Sequence, residues 1–425
     1  MKKIISLLLI LTTLLTMAAC SSEGLETEEE ILPTSTDKGI IKIPVNTEQK
    51  LLVKDPLTWE KIDAIPVANS SMSSDQLRQI VLDFAKLSLS FIWQPSEEWY
   101  ITVGRNYTFP VNSMYGGIPY VSSSSGNMYK WMCYLDEETG ILDVMAVGTN
   151  IERVLGNQCS AHAFSAYSRV SNSMDWGGTN EMVLKHGCIP LGEYTYDTSL
   201  ENWDGIATAD VCKQNGQQVM YRSYAKLLPA DGLSNSDIKN AGHVIMNKEV
   251  HVETAADGSI DGYKSYIIYY EQSSGFKSAV HANTTYQTQA GVDRKFTFHN
   301  LFNEGYLPWT VAEFIGRDPV EKATASGDLT AESVTPSELA KIKITTNYAI
   351  SVFEIHIKDE SGKVVKEIEK PFEGFPLQRL EATPYGRFNV NEISSYADGK
   401  HTAEVYVRVN SGELLQVYSG TLNNA

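Results

Sequence analysis

The clearest amphipathic pattern along the chain lies between Asp75 and Ile92. Apolar residues recur there at helical spacing, so the pattern predicts a helix with one buried face. Ser73 and Gln76 have the spacing of a capping box at its start, and Pro95 follows its end as expected of a helix stop. The residues of the apolar face are Leu77, Ile80, Val81, Phe84, Leu87 and Phe91.

The pattern changes to short, often alternating β-rich segments after about residue 330. They are Lys341–Ile344, Val352–Ile357, Val364–Ile368, Thr402–Val409 and Leu414–Tyr418. Turns at residues 360–363, 397–399 and 410–412 separate them, which predicts an all-β, immunoglobulin-like sandwich over residues 330–425. The Ser- and Thr-rich stretch from Thr324 to Ser337 is interpreted as the linker before it.

The N-terminus has the pattern of an export signal. Lys2 and Lys3 precede an apolar run of signal-peptide length and a stretch of small residues that ends at Cys20. Residues 1–19 are therefore predicted to be a signal peptide. Residues 20–70 are rich in Ser, Thr, Glu and Pro, which predicts mostly a tether, with the apolar piece Ile40–Pro44 lying on the folded body.

The composition of the chain argues against several classes of function. The 425 residues carry 35 Lys and Arg against 52 Asp and Glu, a net charge of −17, which argues against nucleic-acid binding. The length of the chain predicts two or three domains, and its 42% of apolar residues is enough to form their cores. Five cysteines are too few for a disulfide scaffold of this size. Neither His-Glu-x-x-His nor Cys-x-x-Cys occurs, so no metal or other cofactor is expected.

Cys159 is the first candidate for chemistry. Gly156 and Asn157 end a loop, and helical spacing after Cys159 predicts that it opens a helix. A thiol at a helix N-terminus has a lowered pKa, because the helix dipole and the free N–H groups favour the thiolate. The alternative is a buried, inert cysteine.

His243 and Glu271 are the second and third candidates. His243 follows Gly242 and opens a predicted strand, and the turn at Ala256-Asp257-Gly258 returns the chain as a second strand that ends near Glu271. Such a hairpin brings a polar residue beside His243, as in a base held by an orienting group. His251 and Gln272 are the competing residues.

This series resembles the NlpC-type papain-like cell-wall peptidases and their CHAP amidase relatives, over residues 75–316. The resemblance implies an α+β, papain-like catalytic domain at residues 71–320. It makes Cys159 the nucleophile, His243 the base and Glu271 the orienting residue. Tyr120, in Gly117-Ile118-Pro119-Tyr120, inherits a role in binding the oxyanion.

The chain departs from that family at several positions. Gln158 stands where the family has Asp, and Ala161 and Ala230 stand where it has Gly. Tyr120 and Cys159 are 39 residues apart, which requires a looped-out insertion. These departures favour an alternative, a non-catalytic lipoprotein that binds cell wall or glycan on the same fold.

The expected function is an exported cysteine hydrolase that cleaves a peptide or amide bond through a thioester. Its expected substrates are peptidoglycan stem peptides, by analogy with the family. The residues before Cys20 resemble a bacterial lipobox, which implies lipidation of Cys20 and a protein anchored outside the cytoplasm without spanning the membrane. An ordinary signal with an incidental Cys20 is the alternative. A transglutaminase-like acyl transferase is a further alternative for the catalytic activity.

Other chemistry-bearing residues have less specific interpretations. A Cys188–Cys212 disulfide is possible in an exported protein. His162 and His186 are interpreted as surface or packing residues. A set of aromatic residues could line a glycan or peptide groove, although core packing is the commoner role; these are Trp93, Trp99, Tyr100, Tyr115 and Trp131.

Overall fold

The structure is a computed structural model. It describes residues 40–42, 53–101, 106–122, 124, 126–144, 155–174, 179, 187–197, 207–236, 242–281, 284–372, 381–382 and 390–424. The predicted signal peptide, Cys20, most of the predicted tether and His186 lie outside these residues. No helix in the described part is both long and apolar enough to cross a bilayer.

A large mixed sheet forms the centre of the first part of the chain. Nine strands of the described residues make it, in the order Ile141–Leu142, Ile92–Pro95, Tyr115–Gly116, Thr284–Thr297, Tyr266–His281, His243–His251, Gly232–Asn235, Leu307–Thr310 and Ile189–Pro190. The first two strands pair in parallel, as do Tyr115–Gly116 and Thr284–Thr297, and the other neighbours are antiparallel.

Two helices pack on this sheet. The helix Ser74–Ser90 begins at the predicted capping box, in which Ser73 and Gln76 bond each other's backbone. It ends two residues earlier than its pattern predicts, because Ile92–Pro95 joins the sheet. The second helix, Cys159–Tyr167, contacts the first and the strands His243–His251 and Tyr266–His281.

The predicted tether is ordered at its C-terminal end. Ile40–Lys42 pairs in parallel with Asn106–Phe109, which in turn pairs with Trp99–Ile101, so this apolar piece lies on the body as expected. Residues 53–70 are also part of the fold, which corrects the tether boundary at residue 70. Their helix, Trp59–Asp63, buries Ile62. A few apolar side chains of this kind suffice to dock so short a segment on the body.

The remaining helices of the described residues are short. They are Met128–Met132, Thr208–Asn215, Gln217–Tyr224, Phe298–Asn303, Pro336–Leu339 and Val390–Ser394, with a 3₁₀ turn at Ala312–Ile315.

Two sheets make up most of the C-terminal part. One has the order Ser333–Val334, Leu414–Asn423, Asp398–Val409, Ile350–Lys358 and Val364–Pro371. The other has the order Ala325–Gly327, Ile344–Thr346 and Glu381–Ala382. Apolar residues from both sheets form one core, as alternation along the strands predicts.

The stretch interpreted as a linker is part of this C-terminal fold. Ala325–Gly327 and Ser333–Val334 are strands, and Pro336–Leu339 is a helix whose capping box joins Thr335 to Glu338. These elements are too short to show periodicity in the sequence, so the polar composition of the stretch was interpreted as that of a linker. The fold class as a whole is α+β, as expected.

Candidate functional site

Cys159 is the first residue of the helix Cys159–Tyr167. The residue before it, Gln158, has an extended backbone and caps the helix without a side-chain bond to its N-terminus. The first bond inside the helix runs from the His162 N–H to the Gln158 carbonyl, at 2.8 Å. The N–H groups before His162 therefore point out of the helix N-terminus, a position that favours a thiolate. The Cys159 residue is only 2% exposed.

The base candidate stands on the neighbouring sheet. His243 is the first residue of the strand His243–His251, as predicted. Gly242 is needed before it, because a Cβ there would overlap the carbonyl oxygen of Asn235. The Asn235 side chain also accepts a hydrogen bond from the His243 N–H at 2.6 Å. The backbone around His243 is thus fixed from the strand beside it.

His243 and Glu271 form a buried pair, which confirms the predicted hairpin geometry. The His243 Nε2 lies 2.9 Å from the Glu271 Oε2, and both side chains are largely buried. Since a carboxylate accepts, Nε2 carries the proton of a neutral ring and Nδ1 becomes its basic atom. This is how a base is oriented for an activated nucleophile.

Glu271 is held ionised by its neighbours. Its Oε1 accepts a bond from Arg294 at 2.8 Å, and Lys277 lies 3.4 Å from the same oxygen. Burial raises the pKa of the Glu271 carboxyl, but the hydrogen bond from His243 and the guanidinium of Arg294 outweigh it and hold the pKa below its usual range. The absence of a side chain at Gly291 provides the space that Glu271 occupies, because a Cβ at residue 291 would lie 2.6 Å from the Glu271 Cγ.

Tyr120 is brought beside the Cys159 helix despite the 39 residues between them in the chain. Tyr120 forms a parallel bridge with Asn157. The Asn157 N–H donates to the Pro119 carbonyl at 3.0 Å, and the Val121 N–H donates to the Asn157 carbonyl at 2.8 Å. The helix Met128–Met132 and the strand Ile141–Leu142 fall between the two, so the expected insertion is looped out.

Two glutamines hold the Tyr120 segment, and one of them, Gln289, was missed by the sequence interpretation. The Tyr120 N–H donates to the Gln289 Oε1 at 2.8 Å, and the Gln272 Nε2 donates to the Ile118 carbonyl at 2.8 Å. Gln272 therefore supports this loop and is not the partner of His243. The other competitor, His251, lies at the far end of its strand and pairs with Glu253 at 3.0 Å.

Glu304 is a further carboxyl beside the pair that no sequence motif indicated. Its carbonyl accepts a bond from the Asn235 side chain at 3.2 Å. Burial raises the pKa of its half-buried carboxyl to about 7, with the His243 charge acting in the opposite direction and the Glu271 charge in the same one.

The four cysteines in the described residues are free thiols, so Cys188 and Cys212 form no disulfide in the structure. Burial raises the pKa of Cys133 and Cys188 well above the usual range and that of Cys212 to about 12. These three thiols therefore differ in environment from a cysteine at a helix N-terminus.

The remaining sequence candidates are mostly core residues. Trp93, Trp99, Tyr115 and Trp131 are buried, whereas Tyr100 is 51% exposed, so packing explains most of the aromatic set. His162 is buried one turn after Cys159, where its Nδ1 lies 3.3 Å from the Ser88 hydroxyl.

Comparisons of the chain with protein-family models, curated proteins and solved structures found no match. The case for a function therefore depends on the site geometry and on the motif resemblance.

Proposed function

We propose that the protein is an exported, lipid-anchored cysteine hydrolase with a papain-like catalytic domain and a C-terminal immunoglobulin-like sandwich. The observation that supports it most is the buried bond between His243 and Glu271, at 2.9 Å, on strands packed against the helix that Cys159 opens. A buried histidine–carboxylate pair beside a cysteine at a helix N-terminus combines the parts of a nucleophile, a base and an orienting group.

In the proposed reaction, the Nδ1 of His243 takes the proton of the Cys159 thiol. The thiolate attacks the carbonyl carbon of an amide, and the resulting oxyanion is bound by the Cys159 N–H and by Tyr120. The imidazolium returns the proton to the leaving amine, and a thioester remains on Cys159. Water then attacks the thioester with His243 as base, which releases the acid and restores the thiol. Glu271 keeps the imidazole in the required tautomer throughout.

The proposed substrates are peptidoglycan stem peptides or related cell-wall peptides. An export signal and a lipid anchor at Cys20 would place the enzyme where such peptides occur, and the cell-wall peptidases that it resembles act on them.

The experiment that tests the site needs no substrate. The rate of alkylation of each cysteine is measured against pH by peptide mapping, in the wild type and in His243→Ala. We expect Cys159 to label fast well below about pH 8.5, where an ordinary thiol titrates, and to lose that advantage in the variant. The other three described cysteines are expected to label slowly at neutral pH, because burial raises their pKa.

Two further variants separate the pair from a general loss of structure. Glu271→Gln keeps the shape of the side chain, and Gly291→Ala crowds both Glu271 and its partner Arg294 without removing either charge. Both should reduce the low-pH labelling of Cys159 while Cys212 stays protected. An ordinary thiol profile at Cys159 that is the same in wild type and His243→Ala would exclude the enzyme and favour a binding lipoprotein.

If the Cys159–His243 pair is established, wall fragments are the first substrates to assay. Adding an amine then distinguishes hydrolysis from acyl transfer. We expect the free acid as product, whereas incorporation of the amine would indicate a transglutaminase-like enzyme.

A further inference from the structure

Three metal-ligating side chains converge on one face of the C-terminal five-stranded sheet. Glu354 and His356 lie two residues apart on the strand Ile350–Lys358, so they share a face. Glu367, on the neighbouring strand Val364–Pro371, is the register partner of His356. One donor atom from each of these three residues lies within 4.8 Å of the other two.

The two separations that join His356 to the carboxylates suit a tetrahedral ion. The His356 Nε2 lies 3.6 Å from the Glu354 Oε2 and 3.3 Å from the Glu367 Oε1. Ligands about 2.0–2.2 Å from a zinc ion at tetrahedral angles are about 3.3–3.6 Å from each other. The His356 Nε2 is buried, and among the described residues it has no hydrogen-bond partner despite these neighbours.

The charge around the three residues favours a cation. The strand positions on this face also carry Glu369, Glu404, Lys358, Tyr406 and Arg408. Carboxyl groups therefore outnumber cationic side chains on this face, four to two.

The cationic side chains hold carboxylate oxygens that the three donors do not use. Arg408 lies 3.4 Å from the Glu354 Oε1, which leaves Oε2 directed to His356. Lys358 lies 2.6 Å from the Glu404 Oε2, and the Tyr406 hydroxyl donates to the same oxygen at 2.7 Å. The contact from Arg408 to Glu354 is of the kind that orients a metal ligand.

The exposure of the three side chains gives an ion a route to them. The side chain of Glu354 is 3% exposed, that of His356 is 17% exposed and that of Glu367 is 53% exposed. The ion would enter past Glu367, and water would complete its coordination from the same side. From these observations we propose that Glu354, His356 and Glu367 form a binding site for a divalent transition-metal ion, with zinc as the best match in geometry and ligand type.

The test is a calorimetric titration of the purified full chain with Zn²⁺ after removal of metal by a chelator. We expect saturable binding and a rise in the thermal midpoint. His356→Gln and Glu367→Gln should each weaken binding at least about tenfold. Glu367 is exposed, so its variant keeps the result interpretable if a change at buried Glu354 prevents folding. His401→Gln is the matched control, since His401 also pairs with a carboxylate in this part of the chain, at 2.9 Å from Asp398.

A second measurement separates this site from the cysteines, which also bind zinc. The titration is repeated in Cys159→Ser, and Co²⁺ is used as a spectroscopic probe. We expect unchanged affinity in Cys159→Ser and a cobalt spectrum without a thiolate band. Absence of saturable binding below about 1 mM, an affinity unchanged by His356→Gln, or a thiolate band would each overturn the proposal.

Discussion

Ala230 shows how hydrogen bonds can hold a single residue in an unfavourable backbone conformation. Its φ of 65° lies in the left-handed region that glycine adopts most easily. The Ala230 N–H donates to the Asn247 carbonyl at 2.7 Å and its own carbonyl accepts from the Tyr167 hydroxyl at 2.6 Å. The surrounding bonds thus hold an alanine in a conformation that costs energy for a residue with a Cβ.

His162 provides a prediction for the pH dependence of stability. Burial lowers the pKa of His162 from 6.5 to about 4, so the folded protein keeps this imidazole neutral where the unfolded chain binds a proton. The contribution of His162 is therefore fully present above about pH 6.5 and declines as the pH falls toward about 4. The total loss is about 3 kcal/mol, at 1.36 kcal/mol for each pH unit between the two pKa values.

Measurements of the free energy of unfolding between pH 4 and 7 test this in the wild type, in His162→Gln and in the exposed-site control His251→Gln. The difference between wild type and His162→Gln should shrink as the pH falls, whereas the control should follow the wild type. A difference that does not vary with pH would mean that His162 is not held neutral by burial.

Ion pairs join separate elements of the fold, and the burial of each pair decides how much its loss changes the free energy of unfolding. Arg78, on the helix Ser74–Ser90, lies 2.8 Å from the Asp231 carboxylate, and the two side chains are 3% and 0% exposed. Arg78 also donates to the Pro229 carbonyl at 2.7 Å. This pair therefore fastens the helix to the segment that leads into the strand Gly232–Asn235.

We expect Arg78→Leu to destabilise the protein by about 3–5 kcal/mol, because it leaves the Asp231 charge buried and unpaired. The matched control is Arg222→Leu, which breaks a pair with Glu193 whose side chains are 46% and 43% exposed and should cost less than about 1 kcal/mol. Chemical denaturation measures both. The double variant Arg78→Leu with Asp231→Leu should be more stable than Arg78→Leu alone, and a double variant that is still less stable would contradict this account.

Elements with strong periodicity or recognisable turns could be predicted from the sequence, whereas short elements and contacts across strands could not. The helix Ser74–Ser90 and the strand that starts at His243 carry their signals within one segment. Residues 53–70 are ordered by packing against distant segments, so their polar composition gave no sign that they belong to the fold. The zinc-ligand proposal depends on the register between His356 and Glu367, which no spacing in the sequence expresses.

At the scale of the whole molecule, the C-terminal part packs against the part that carries Cys159. Ala349 and Val352, from the C-terminal part, belong to the same apolar core as residues of the Cys159 helix. The Arg408 guanidinium lies 4.3 Å from the ring centre of Trp59, in the N-terminal part. The two parts thus share buried apolar surface, which predicts that they unfold together.

Asn410 is the central polar contact of this interface and provides its test. Its Nδ2 donates to the Ser168 hydroxyl at 3.1 Å, at the end of the Cys159 helix, and its Oδ1 accepts from the Asn127 side chain at 3.3 Å and from the Ser351 hydroxyl. Asn410→Ala leaves buried polar groups without these bonds and should cost about 2–3 kcal/mol. Scanning calorimetry should show one transition in the wild type and two in Asn410→Ala, because the loss falls on the contact between the parts.

The control Asn423→Ala removes an exposed bond to Ser333 within the C-terminal part and should keep one transition. Two transitions in the wild type would mean that the parts fold independently, and the C-terminal part would then not contribute to the stability of the helix that carries Cys159.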